Sequence, residues 1–331
     1  MPGSPAVAWP ELSKACQTRT VSDRSGRLVI TGAGGQLGSA LAAQATAAGR
    51  DVLALTSSQW DITDAAVAER MGRSALKKND VVVNCAAYTN VDGAESNELA
   101  AYAVNATGPE YIARACRCAG AALIHVSTDY VFSGDFGSGA NRVAPRPYEP
   151  TDETGPLGVY GRSKLAGEQA VLAAMPEATV VRTAWVYTGG TGKDFVAVMR
   201  RLAAGDGPVY VVDDQIGSPT YVVDLAAALL QVADGSVHGS VLHAANEGEV
   251  SRFGQARAVF EECGADPLQV QPVSTAQNPR SAARPAYSAL SGRQSVAAGL
   301  TPLRPWRSAL VEALAVSRSL PVDRPLPSTR D

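Results

Sequence analysis

The sequence predicts an α/β protein built on a doubly wound parallel sheet, with a smaller C-terminal lobe. Three observations predict it. Residues 27–38, RLVITGAGGQLG, pass from a short apolar β-rich run straight into closely spaced glycines. Further apolar strand-like runs alternate with helical stretches such as 97–119, the pattern of right-handed βαβ units. Beyond residue 186 the alternation changes: a helix and strand, KDFVAVMRRLAAG and PVYVVDD at 193–214, come before YVVDLAAALLQVA and GSVLHAAN at 221–246 return to the sheet.

Taken in order, the first strand is Leu28 to Ile30, and the run SALAAQATAAG after the glycines is the first helix. In a Rossmann-type βαβ unit the first glycine makes the tight turn, the next lets backbone approach a pyrophosphate, and the third allows close helix packing at a phosphate-binding helix N-terminus. Gly32, Gly35 and Gly38 hold those places with an extra Gly34, and a plain glycine-rich turn is the competing reading of the triplet alone. Residues 51–58 read as the second strand and DVVVNCAAY at 80–88 as a later one, apolar enough for a strand buried on both faces. ALIHVS at 122–127 and ATVVRTAW at 178–185 follow. The expected division is interleaved: a dinucleotide-binding domain of 27–186 plus 217–246, a substrate-binding lobe of 187–216 plus 247–316, an extension of 1–26 and a polar, proline-rich tail of 317–331.

Composition narrows the class. With 331 residues, 46% hydrophobic and 18% charged, the chain can bury a large core. A formal charge of -3 makes no case for nucleic acid. No run of about 18 apolar residues is present and the N-terminal segment lacks a signal-peptide core, so the expectation is a cytoplasmic protein with no membrane partner. Five irregularly spaced cysteines argue for reduced thiols, and three scattered histidines leave no legible zinc site.

The chemistry is written at Tyr160-Gly-Arg-Ser-Lys164. A Tyr and a Lys four apart share a helix face, so the ammonium can stand beside the phenol and stabilise its anion. A free phenol titrates near 10, about three units too high for neutral pH, and a nearby cation can close such a gap of about 4 kcal/mol. The competing reading is a core Tyr beside a solvated Lys.

Cofactor choice is read at the end of the second strand, where NAD-binding units carry an Asp or Glu for the ribose hydroxyl. Thr56, Ser57 and Ser58 stand there instead, with no carboxylate to repel a 2'-phosphate, so the expectation is NADPH favoured and NADH tolerated.

The blocks TGAGGQLG, NCAAYTNVDGAE at 84–95, VNATG at 104–108, VSTDYVF, PLGVYGRSKLAGE, RTAWVY and DQIGSPT together resemble the extended short-chain dehydrogenase/reductases that act on nucleotide sugars, from about residue 27 to 315. The resemblance implies hydride reduction of the C4 ketone of dTDP-4-dehydro-6-deoxy-L-mannose to dTDP-L-rhamnose. It implies Tyr160 as proton donor, Thr128 as hydrogen-bond partner of the same oxygen and Lys164 on the nicotinamide ribose, with Ser127 a neighbouring competitor for the hydroxyl role. For the cofactor it points to Gly32, Gly34, Gly35, Gln36, Leu37, Gly38, Ser57, Ala86, Ala87 and Tyr88. Asp61 and Ile62 match its adenine-contacting pair, although an Asp there could equally cap a helix. For the sugar it points to Thr89, Val91, Asp129, Tyr130 and Trp185, the last weighed against plain core packing. Arg252, Arg280 and Arg284 are candidate phosphate ligands among which the sequence does not choose.

Some members of this family bind Mg2+ at a homodimer contact through acidic residues that have no assigned position here. The segment 134–146 is longer and looser than the pattern, read as an insertion or a lid. Three alternatives stay open: a nucleotide-sugar epimerase or dehydratase, the dehydratase disfavoured because only Asp129 follows Thr128; a non-enzymatic regulatory subunit like that of methionine adenosyltransferase; and a nucleotide-sensing redox regulator, the last two disfavoured by the intact Thr128, Tyr160 and Lys164.

Overall fold

The computed structural model describes residues 26–137, 144–190 and 192–318, so the expectations for residues 1–25, 138–143 and 319–331 fall outside the described residues. Strand β1 (Leu28–Thr31) passes through the glycine turn into helix α1 (Gln36–Ala47), followed by β2 (Val52–Leu55), α2 (Ala65–Arg70) and β3 (Val81–Asn84). Helices α3 (Val91–Ser96) and α4 (Glu98–Tyr102) lead through a π-turn, Ala103–Thr107, into α5 (Gly108–Ala119). Strand β4 (Ala122–Thr128) ends in a single 3-10 turn, Asp129–Val131, and α6 (Val159–Ala174) then leads to β5 (Thr179–Thr183).

The chain goes on through β6 (Val186–Tyr187), α7 (Phe195–Leu202), β7 (Val209–Val212), β8 (Ile216–Gly217) and β9 (Thr220–Tyr221). Helix α8 (Val222–Ala233) and β10 (Val241–His243) precede β11 (Val250–Ser251), α9 (Arg252–Cys263), β12 (Val270–Val273), α10 (Arg293–Ala297) and α11 (Trp306–Arg318).

Six strands form one parallel sheet in the order β10-β5-β4-β3-β1-β2. Both faces are covered, which explains the unbroken apolar runs. Leu28, Ile30, Val83 and Ile124 pack on one face against α1 and α8, while Val29, Val82 and Leu123 pack on the other against α5 and α6. A third apolar cluster joins α7, α9 and α11, and β7 pairs with β12 rather than with the main sheet. The strand order reverses between β1 and β3, so the carboxyl ends of those strands open a crevice where ligands bind in such sheets.

Several expected elements are shorter or broken, among them the strand expected over 80–88, which ends at Asn84. The second strand stops at Leu55 because Gln59 turns its side chain back onto Thr56 N and Oγ1, closing the TSSQ turn. The strand expected over 178–185 ends at Thr183, since Trp185 takes φ +46 and redirects the chain into β6. The helix expected over 97–119 is interrupted by the π-turn, for Pro109 cannot donate the hydrogen bond that would continue an α-register.

Candidate active site

The crevice is floored by the glycine turn. Gly32 has φ +68, and a Cβ there would lie 2.6 Å from the amide nitrogen of Ala86 on the loop after β3. A Cβ at Gly38 would lie 2.3 Å from the Gly32 carbonyl oxygen, so these two glycines serve the turn and helix packing. Gly34 and Gly35 are exposed; a Cβ at Gly34 would meet only Thr56 at 3.7 Å, whereas one at Gly35 would lie 3.3 Å from the Gly32 carbonyl oxygen. Gly35 is the N-cap of α1 without any side-chain cap, and no acid occupies the first turn, so free amides face the crevice beside Gln36 and Leu37.

Beyond β2, Ser57 is exposed, and Thr56 Oγ1 shares a hydrogen bond of 2.9 Å with Ser58. Asp61 accepts from Thr63 N and Oγ1, which holds its carboxyl below the usual range. The α2 cap is Asp64, not Asp61. Ile62 is buried against α5, where a Cβ on Gly108 would meet it at 2.9 Å. After β3, Ala86 N donates to Asn84 Oδ1, Ala87 is partly buried, and Tyr88 is pinned through both its backbone groups by Asn105 in the π-turn.

Helix α6 carries Tyr160 and Lys164. It lies close to the π-turn because Gly167 lets it: Asn105 also donates to Ser163 Oγ, which donates to the Tyr160 carbonyl. Lys164 Nζ donates to Val126 O at 2.7 Å, and burial lowers its pKa to about 8. The expected depression of the phenol by this ammonium is corrected here. Burial pushes the Tyr160 phenol above its ordinary value, Asp129 and Tyr130 push the same way, and the counteracting contact is a hydrogen bond with the Thr128 side chain. The ammonium is instead directed at the β4 backbone.

Thr128, at the end of β4, accepts from Tyr130 N and donates to Asp129 Oδ1 at 3.0 Å. Ser127 alternates away along the strand, and its buried hydroxyl has no hydrogen-bond partner among the described residues. Asp129 is 2% exposed, and Ser288 Oγ donates to its other oxygen at 2.6 Å. Burial raises this carboxyl to about 6, against the lowering effect of Ser288, Thr128 and the Arg252 charge.

Tyr130 stands edge-on to Tyr160 with ring centroids 5.8 Å apart, and the charges of Arg252 and Arg284 act on its phenol against the upward push of burial. Arg284 grips Asp92 through two bonds of 2.6 and 2.7 Å, which holds that carboxyl at about 2. The Arg252 guanidinium lies 3.5 Å from the centroid of the Trp185 ring, and a Cβ on Gly217 would lie 2.4 Å from a carbon of the same ring. Trp185 is thus partly buried, wedged between β8 and a cation. Val91, Tyr130, Gly158, Tyr160, Ala283 and Pro285 line a cleft between α3, α6 and the 281–291 segment, with Thr89 exposed near its rim.

The structure therefore gathers Thr128, Asp129, Tyr130, Tyr160, Lys164 and Trp185 at one end of β4 and β5. Of the three candidate arginines it brings Arg252 and Arg284 to Tyr130 and leaves Arg280 exposed. Ser288 escapes the sequence analysis, since a lone Ser carries no spacing signal, and Asn105 is legible only as part of the VNATG block, without a role of its own.

The sequence profile of the RmlD substrate binding domain matches residues 26–319. The chain belongs to that family. It is 74% identical over 312 residues to the dTDP-4-dehydrorhamnose reductase of Mycobacterium tuberculosis, covering 94% of this chain and 100% of that one. With the enzyme of the same name from Mycolicibacterium smegmatis it shares 59% over 303 residues, covering 92% and 89%. The crystal structure of dTDP-4-dehydrorhamnose reductase from Bacillus anthracis in complex with NADP aligns with a TM-score of 0.81 at 35% identity, covering 88% of this chain and 99% of that one. Among the described residues of this RmlD-family chain, no group of three His, Cys, Asp or Glu could hold a metal ion, and no helix is long and apolar enough to cross a membrane.

Proposed function

We propose that this chain reduces the C4 ketone of dTDP-4-dehydro-6-deoxy-L-mannose to dTDP-L-rhamnose with NADPH, the last step of dTDP-rhamnose synthesis. The observation that carries the reading is the meeting of Thr128, Tyr160 and Lys164 at the end of β4, beside a glycine turn with free helix amides, in a chain 74% identical to a reductase of that name. The cradle fits a dinucleotide: Gly34 and Gly35 leave room for a pyrophosphate at the uncapped, acid-free start of α1. Bound there, NADPH supplies the hydride.

The chain's own residues do the rest. Tyr160 gives its proton to the developing alkoxide, and Thr128 fixes the phenol's position by hydrogen bonding. Lys164, tethered to Val126 O, presents its remaining donors at the nicotinamide end of the crevice. Arg252 and Arg284, on the Tyr130 side of the cleft, are placed for an anionic nucleoside diphosphate. Ser57, where a carboxylate would repel a 2'-phosphate, leaves NADPH favoured and NADH accepted.

The interleaved division into a dinucleotide domain and a substrate lobe is part of the same reading, supported by the return of β10 to the main sheet. So are a cytoplasmic location and a homodimer, the latter open to light scattering. The function is tested by following NADPH oxidation with the dTDP-linked 4-keto sugar and with UDP- and GDP-linked 4-keto sugars. Turnover confined to the dTDP sugar is the expected result. Inactivity with all three would point to a regulatory subunit.

A further inference from the structure

The cleft beside Tyr160 has a roof, and the roof is held unevenly. Segment 282–288 crosses from α3 to β8, and Ala283 and Pro285 within it line the cleft together with Val91 and Tyr160. Its trailing end is fixed by backbone. Ile216 N donates to Ala286 O at 2.9 Å, Ser288 N donates to Ile216 O at 2.8 Å, and the buried Ser288 hydroxyl donates to Asp129 at 2.6 Å. Gly134 packs against the same end, where a Cβ would lie 2.9 Å from the Tyr287 carbonyl oxygen. The leading end leans on a single side chain. Ala282 N donates to Asp92 Oδ1 at 3.1 Å, while Arg284 donates to that oxygen at 2.6 Å and to Oδ2 at 2.7 Å. Three hydrogen bonds from the roof thus finish on one carboxylate, and its side chain is 34% exposed, within reach of solvent and of a competing anion.

The space under the roof is small for a nucleotide sugar. The cleft holds about 200 Å³ of empty space, open solvent included. Sites for drug-sized ligands begin at roughly 300 Å³, so a wall has to part. The other walls are braced by backbone. Val159 N, at the start of α6, donates to Glu95 Oε1 of α3 at 2.8 Å, and α6 lies so near the π-turn that a Cβ on Gly167 would come 1.9 Å from the Asn105 carbonyl oxygen. The roof's leading end is the part that can yield.

We propose that Asp92 is a positioning residue that latches the 282–285 roof over Tyr160 and releases it, pivoting about Ala286 to Ser288, to admit the nucleotide sugar. The inference rests on the reductase reading for the kind of ligand and goes beyond it in naming the part that moves. A diphosphate offers paired anionic oxygens like those of the carboxylate, so it can draw the Arg284 guanidinium off Asp92. Departure of the product returns the guanidinium to Asp92 and closes the roof.

Amide exchange by NMR and stopped-flow binding of dTDP, followed by protein fluorescence, test this in the full-length enzyme. Asp92→Asn keeps the side chain's shape and removes its charge. The Ala282 amide should then exchange about 10-fold faster or more, while the Ser288 amide keeps parental protection. In the same variant dTDP should bind and leave faster, each rate constant rising about 5-fold or more, a change that mere loss of packing would not produce. Arg284→Gln removes two of the three bonds from the other side and should free the Ala282 amide in the same way. Parental exchange at Ala282 in both variants would overturn the latch. Faster exchange spread equally to Ser288 would mark general loosening and overturn it as well, as would a freed Ala282 amide with dTDP association unchanged or slower. Absence of NADPH oxidation by the parent enzyme with the keto sugar would instead sink the reductase reading, leaving the amide exchange and the dTDP rates to judge the latch.

Discussion

Gly167 makes the sharpest structural prediction. It sits in the LAGE end of the Tyr160 helix, and a Cβ there would lie 1.9 Å from the Asn105 carbonyl oxygen and 3.1 Å from its carbon. Real Cβ atoms keep at least 3.0 Å from such atoms, so Gly167→Ala must part α6 from the π-turn by about 1 Å or more. Backbone carbonyl cannot swing aside as a side chain does, so overpacking should cost about 1–3 kcal/mol. The same displacement pulls on Ser163, whose hydroxyl ties Asn105 to the Tyr160 carbonyl, and so moves the phenol away from Thr128. A misplacement of about 1 Å can cost about 10²-fold in rate. Urea unfolding gives the stability and NADPH oxidation by the folded variant gives kcat. Stability within about 0.5 kcal/mol of the parent, with parental kcat, would refute the claim that this contact sets the position of Tyr160.

Tyr160→Phe should keep NADPH affinity and lose most of kcat, whereas Lys164→Met should lower the rate and weaken NADPH binding as well; fluorescence titration beside steady-state kinetics distinguishes them, and a Phe variant within a few-fold of the parent would remove Tyr160 from its role. Ser57→Asp should move the ratio of kcat/KM values toward NADH by repelling a 2'-phosphate, and an unchanged ratio would place cofactor selection elsewhere. Trp185→Ala should lower kcat/KM for the keto sugar while NADPH affinity stays near normal, because the ring braces Arg252 on the sugar side; a fall of about 3–5 kcal/mol in stability with kcat/KM intact would mark it as core packing. His243 is buried and held near a pKa of about 3, below its ordinary 6.5, so the folded protein resists a proton that the unfolded chain accepts. Stability should be full above pH 6.5 and decline as pH falls toward 3, and His243→Leu should flatten that decline in acid unfolding curves.

Local signals of short range were legible in the sequence. The glycine turn, the buried parallel strands and the Tyr160 to Lys164 spacing each depend on residues within one helical turn or one βα corner, where periodicity and turn chemistry decide the outcome. What the sequence hid depends on contacts across the chain. Ser288 reaches Asp129 over 159 positions, and Arg284 reaches Asp92 over 192. Neither partner carries a motif of its own. The direction of the Tyr160 shift was hidden for a related reason: the spacing puts Lys164 on the same helix face, but its ammonium donates to the carbonyl of Val126 on β4. The choice of Arg252 and Arg284 over Arg280 likewise emerged only from their convergence on Tyr130.

The central claim is that hydride enters at C4 of the sugar and that this chain delivers it. NADPH deuterated at nicotinamide C4, incubated with the dTDP-linked 4-keto-6-deoxy sugar and the enzyme, tests both parts at once by proton and deuterium NMR of the product. The account predicts one deuterium bound at sugar C4 of dTDP-L-rhamnose, with none in the Tyr160→Phe reaction over the same interval. Deuterium at another carbon, or consumption of the keto sugar without label transfer, would contradict it.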